Sequence, residues 1–302
     1  MPWGSVIIGL FNLSKKNSLI KKAYKLFNQG KYEEALECYD EILKSDSEYT
    51  DAWFGKAVAL GECGRCQEAL EVYDRALELD PEYTDAWHGK GVALEECGRH
   101  HEALEAYDKI LKTNPNHAKA WHGKGVVLEE CGRHQEALEA YDKALELDPE
   151  YIDVWYNKAL LLGEFGKYSE ALEAYDKVLE LDPTRIQALN NKGVTYGVLE
   201  KYPEALNCFD EELSLNPENG EVWNNKGIIL GKLGKYSESI KCFEKSLKLR
   251  PADAKTWYNM GITFEKFGKY QEALKSFDEA LKLNPSCEPA LKAKENISDI
   301  KM

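Results

Sequence analysis

The chain has 302 residues, 43% of them hydrophobic and 30% charged, enough to bury a substantial interior without requiring one globular core. Its formal charge of -14 argues against nucleic acid as a partner, because phosphate binding relies on a surplus of Lys and Arg. No apolar run reaches the roughly 18 residues of a membrane-spanning helix, and eight Cys in a long chain without a secretory leader predict reduced thiols in a cytoplasmic protein.

Residues 1–15 stand apart from the pattern that follows them. Trp3, Ile7, Leu10 and Phe11 fall at i, i+4, i+7 and i+8, which predicts one apolar helical face. A lid over the end of the first repeat suits such a face; self-association and interfacial anchoring stay open as alternatives.

From residue 16 the chain repeats every 34 residues, in eight units: 16–49, 50–83, 84–117, 118–151, 152–185, 186–219, 220–253 and 254–287. Residues 288–302 begin a ninth and read as a capping helix, with Ala290, Leu291, Ile297 and Ile300 on its inner face. The repeat is plainest where GKGVALEECGRHHEALEAYDK, from Gly89, returns from Gly123 with only Ala93 to Val127 and His101 to Gln135 changed.

Each unit predicts two helices. In 50–83, Trp53, Ala57 and Leu60 form one stripe, and Ala69, Tyr73, Ala76 and Leu77 form another. Gly64 suits the left-handed turn between them, and Asp80-Pro81 ends the second. Trp53, Trp87, Trp121, Trp155, Trp223 and Trp257 share a column, while Tyr107, Tyr141 and Phe209 belong to another.

These columns resemble the tetratricopeptide repeat (TPR) family over roughly nine-tenths of the chain. The resemblance implies an all-α, right-handed superhelical solenoid of eight helix-turn-helix units whose first helices line a concave face. One departure is systematic: Lys56, Lys90, Lys124, Lys158, Lys192 and Lys226 stand where the family usually has Leu.

On the face that the resemblance makes concave, one column holds Phe54, His88, His122, Tyr156, Asn190, Asn224 and Tyr258. The next ends in Asn157, Asn191, Asn225 and Asn259. A carboxamide both donates and accepts, so an Asn ladder is expected to hold an extended peptide backbone. Glu95 and Glu129 lie a turn or more further on, in an acidic zone that also holds Glu62, Glu96, Glu130 and Glu164. Residues 50–219 carry 17 basic against 35 acidic residues, a net of -18, and 220–302 carry 15 against 11, a net of +4. A basic segment is therefore the expected partner toward repeats 2–5. The Lys and Asn clamp with which some TPR proteins grip acidic chaperone tails is represented only by Lys255 and Asn259.

The series Cys63-Gly-Arg-Cys66, Cys97-Gly-Arg-His100 and Cys131-Gly-Arg-His134 has zinc-like spacing. Its columns hold large apolar or aromatic residues in other repeats, such as Phe165 and Tyr168, so packing is the expected role and no metal or other cofactor is predicted. No nucleotide loop or catalytic constellation appears. The expected function is a non-enzymatic protein-binding scaffold, with a self-associating module that uses residues 1–15 or the solenoid ends as the alternative. Repeat 6 (186–219) departs most, with Leu189 for Trp, Glu200 for the turn Gly and Pro203, and is expected to be the soft place.

Overall fold

The computed structural model describes residues 16–300, all of it helix or short turn and none of it strand. The expected lid at 1–15 lies outside the described residues. Helix α1 covers 16–27, and α2 (Tyr32–Ser45) completes the first pair. The following pairs are α3 (Thr50–Glu62) with α4 (Cys66–Leu79), α5 (Thr84–Glu96) with α6 (His100–Thr113), and α7 (Ala118–Glu130) with α8 (His134–Leu147). Then come α9 (Ile152–Glu164) with α10 (Tyr168–Leu181), α11 (Ile186–Val198) with α12 (Tyr202–Leu215), α13 (Gly220–Lys232) with α14 (Tyr236–Leu249), α15 (Ala254–Lys266) with α16 (Tyr270–Leu283), and α17 (Glu288–Ile300).

The turn inside each pair is set by one backbone position. Gly64, Gly98, Gly132, Gly166, Gly234 and Gly268 take φ values of 69–76°, and repeat 6 places Glu200 there at φ 58°. A side chain in that left-handed region costs roughly 1–2 kcal/mol, so the predicted irregularity of repeat 6 has a local cause.

The chain divides into two compact halves, Met1–Val154 and Trp155–Met302. In the first, a buried cluster runs through the pairs from Ala23 to Val127, with Ala57, Ala69 and Ala103 fully buried where helices approach closely. In the second, Phe209, Phe243 and Phe277 are completely enclosed. The tryptophans are half-buried rather than central, and they brace turns: Trp87 Nε1 donates to the Pro81 carbonyl at 2.9 Å, and Trp223 Nε1 does the same to Pro217 at 2.9 Å. On α17, Ala290, Ala293 and Ile297 are buried, whereas Leu291 is 41% exposed and does not belong to the inner face predicted for it.

The unusual Lys column ties successive repeats together. Lys56 pairs with Asp40 at 2.7 Å, Lys124 with Asp108 at 2.6 Å and Lys192 with Asp176 at 2.5 Å, each Lys reaching back to the second helix of the preceding repeat. The ammonium also lies over its own repeat's indole, 5.5 Å from the Trp121 ring centre for Lys124.

The interior of the second half is not uniformly apolar. Ser239, Ser246, Thr256 and Thr263 are buried in columns that repeat 2 fills with Ala. Ser246 Oγ donates to the Gly220 carbonyl at 2.6 Å and Ser239 Oγ to Gly227 at 2.7 Å, while Thr256 Oγ1 donates to Asn224 at 3.2 Å.

One expectation about the thiols fails. Cys66 and Cys97 form a disulfide, because the start of α4 and the end of α5 meet in the stack with Cα atoms 6.1 Å apart. The reading of reduced thiols came from chain length and helical columns, which do not register that side chains at the ends of neighbouring helices converge. The corresponding contact between α14 and α15 is a ring pair, Tyr236 against Phe267 at 5.5 Å. Cys38, Cys208 and Cys242 are buried free thiols.

Candidate functional site

The predicted contact residues all lie on the first helices of their pairs, and every one except Asn224 is half-buried. In the first half, a cavity of about 280 Å³ opens between α3 and α5, lined by Phe54, Val58, Glu62, Tyr73, His88 and Glu96 among others. It opens there because Gly61 contributes no side chain. One of its rims is aromatic: Phe54 lies 5.3 Å from Tyr83, and His88 lies 6.2 Å from His117.

Tyr83, His117 and Tyr151 were missed by the sequence reasoning. They occupy the last position of their repeats, and each reaches back to the ring of its own first helix. His122 Nδ1 and the Tyr151 hydroxyl are 3.1 Å apart. The available signal was a column, Tyr83, His117, Tyr151, Arg185, Asn219, Asp253 and Cys287, that changes chemistry at every step while the Pro two positions earlier stays constant. Burial lowers the pKa of both His88 and His122, so these imidazoles are neutral at physiological pH.

The acidic residues divide by environment. Glu129 accepts a hydrogen bond from the Tyr141 hydroxyl at 2.7 Å. Burial, then the charges of Glu130 and Glu96, raise the pKa of Glu95 to about 7. Among the described residues no group of three or more His, Cys, Asp or Glu side chains converges as a metal site would require.

The second half carries the Asn column, and its amides are stitched to one another. Asn191 Nδ2 donates to the Tyr156 hydroxyl at 3.0 Å, Asn225 Nδ2 to Asn190 Oδ1 at 3.0 Å, and Asn259 Nδ2 to Asn224 Oδ1 at 3.1 Å. Each bond crosses from one repeat to the one before it, which fixes the plane of the carboxamide. Asn224 is only 5% exposed, and its oxygen is shared between Asn259 and Thr256. It therefore serves the interior, contrary to its predicted place in a contact row. Arg185 lies over the Tyr156 ring at 5.2 Å, and Tyr258 packs on Phe277 at 6.0 Å.

Family models described as tetratricopeptide repeat match residues 20–83, 60–110 and 88–152, and then 152–185, 220–253 and 254–287. The chain belongs to the tetratricopeptide repeat family. Among curated proteins, the uncharacterized protein MJ0572 of Methanocaldococcus jannaschii is 41% identical over 49 residues, 16% of this chain and 57% of that protein. The chain thus spans little more than half the length of that relative.

Among solved structures, YrrB, described as a TPR protein with an unusual peptide-binding site, is 26% identical over 64% of this chain and 99% of its own, with a TM-score of 0.54. The Cut9–Hcn1 complex of the APC/C is 21% identical over 92% of this chain and 55% of its own, with a TM-score of 0.60. PilF of Pseudomonas aeruginosa is likewise 21% identical, over 70% of this chain and 97% of its own, with a TM-score of 0.60. The last two show likeness of fold. No described helix of this TPR protein is long and apolar enough to cross a membrane.

Proposed function

We propose that this TPR protein is a non-enzymatic adaptor that holds an extended segment of another protein against the face formed by its first helices. The observation that carries the reading is the row of oriented carboxamides Asn191, Asn225 and Asn259, each bonded sideways through one N–H. The second N–H of each remains to meet a backbone carbonyl of the guest, and Asn157 occupies the same column one repeat earlier. Packed helices about 8–10 Å apart match about three residues of extended chain at roughly 3.3 Å each, so one amide per repeat is a workable register.

The half-buried rings of Phe54, Tyr156 and Tyr258 would take apolar side chains of the guest. Over repeats 2–5 the acidic excess favours a basic stretch. YrrB, whose description includes a peptide-binding site, supports the reading by its similarity.

A peptide array probed with the full chain tests this directly. Replacing Asn191, Asn225 and Asn259 together by Ala should weaken captured peptides at least roughly ten-fold, about 1.4 kcal/mol in all or about 0.5 kcal/mol for each amide. Undiminished binding by the triple variant would remove the ladder. Capture of the chain's own residues 1–15 alone would instead assign the face to self-association.

A further inference from the structure

One cluster in the first half is not required by packing. In the column Gly61, Glu95, Glu129, Gly163, Gly197, Gly231 and Glu265, glycine is the commoner occupant, and a side chain built at Gly61 would meet nothing within 4 Å. Repeats 3 and 4 fill this open position with carboxylates beside the rings of Tyr107 and Tyr141. The Tyr141 hydroxyl donates to Glu129 at 2.7 Å. Tyr107 is its counterpart one repeat earlier, on a ring with 0% exposure, yet its hydroxyl has no hydrogen-bond partner. A buried polar group in that state is costly unless something else satisfies it.

We propose that α5 and α6 carry a socket, flanked by α7, for one basic side chain, Lys or Arg, of an extended segment of another protein, with the Glu95 carboxylate and the Tyr107 hydroxyl oxygen as its acceptors. The inference rests on the reading of this face as a peptide site. An ammonium or guanidinium group has donors and no acceptor, so it supplies what the phenol oxygen lacks.

The cation also offsets repulsion among carboxylates. Glu96 on α5 and Glu129 and Glu130 on α7 share this space with Glu95, and Tyr107 on α6 and Tyr141 on α8 face it. Of the nearby cations, Lys90 pairs with Asp74, Lys124 with Asp108 and Arg99 with Glu102, while His100 Nδ1 on α6 lies 3.2 Å from Glu130. One turn before Glu95 on α5, the 37% exposed Val92 gives an apolar surface against which the methylene stem of such a side chain lies.

The test measures fluorescence anisotropy of the full chain with a labelled peptide alternating Lys and Ala, against a matched peptide alternating Gln and Ala. The lysine peptide should bind more tightly, and Glu95→Gln and Tyr107→Phe should each weaken it roughly ten-fold. Glu139→Gln, on an exposed face of α8, should change binding by less than about two-fold. Tyr107→Phe keeps the buried ring, so an unaltered melting curve ties its loss to the hydroxyl. Binding should also weaken as pH falls through about 7, where Glu95 takes up its proton, and Glu95→Gln should abolish that dependence.

Equal damage from Glu139→Gln and Glu95→Gln would reduce the effect to general attraction by an acidic surface and overturn the socket. Equal binding of the two peptides would overturn the socket and leave the groove standing. Failure of both peptides to bind would count against the peptide groove itself, and the socket with it.

Discussion

In the first half, Tyr39, Tyr73 and Tyr107 lean on Gly55, Gly89 and Gly123 of the following repeat; in the second, Phe209 and Phe243 are followed instead by Asn225 and Asn259. A methyl group at Gly55 would come within 2.5 Å of the Tyr39 ring, so the glycine is the space the phenol needs. Removing the phenol oxygen frees room for a carboxamide, and the carboxamide then bonds to the repeat before it. Asn191 follows Tyr175 and so keeps the phenol, but its amide turns to the Tyr156 hydroxyl. The aromatic residue alone does not decide between glycine and carboxamide, because Asn157 follows Tyr141 just as Asn191 follows Tyr175.

The halves also differ in what joins their repeats. The first has an alanine stripe and a disulfide. The second has hydroxyls bonded to backbone carbonyls and, in α12, a carboxyl group: Glu212 is 1% exposed at a position that repeat 2 fills with Ala76 and repeat 5 with Val178. Asn219 Nδ2 donates to its Oε1 at 2.8 Å, while Oε2 has no partner. Burial raises its pKa to about 7.

The largest effect that would sharpen this contrast is in the first half. Cys97→Ala opens a cross-link spanning 31 residues and should cost roughly 3–4 kcal/mol in the chain-entropy account. Hydrogen exchange should quicken in repeats 2 and 3 and hold steady over 220–287; equal quickening in both places would break the comparison.

Next comes Glu212. Its folded carboxyl binds a proton more tightly than the unfolded one, with a pKa near 4.3. Stability should therefore decline as pH rises from that range through about 7 and level off above it. Glu212→Gln should flatten the decline, and Glu212→Val should raise stability at pH 8 by roughly 1–3 kcal/mol. Chemical denaturation across pH checks both, and an unchanged slope in Glu212→Gln would show that the decline arises elsewhere.

The smallest effect lies in the turn of repeat 6. Glu200→Gly should stabilise the second half by about 1 kcal/mol, since glycine takes the left-handed conformation without the clash. Exchange in 186–219 should slow toward that of 118–151. If these segments already exchange alike in the unaltered chain, the assignment of softness to repeat 6 fails.

Much of the architecture was legible because period and column content are local properties of a repeat. The turn at Glu200 and the small residues Ala57 and Ala69 could be read one unit at a time. Contacts between units were harder to read, because they join different heights of neighbouring repeats. Cys66 meets Cys97 only when the end of one helix is set beside the start of another. Asn224 appears on the same sequence face as Asn190, yet Thr256 of the next repeat draws it inward. The joint appearance of Ser239, Ser246, Thr256 and Thr263 in columns that repeats 2–5 fill with apolar residues was the visible trace of that network. The Lys column was noticed as a departure, but the Asp sixteen residues earlier gave it meaning only once the stack was known.

The glycine beneath Tyr39, Tyr73 and Tyr107 has a consequence for building with these repeats. They are not interchangeable beads, because each carries half of a lock whose other half belongs to its successor. A chain rearranged so that repeat 7 followed repeat 3 would set the Tyr107 phenol against Asn225, whose carboxamide would have to turn aside as Asn191 does beside Tyr175, while one that keeps adjacent pairs together could be lengthened or shortened freely.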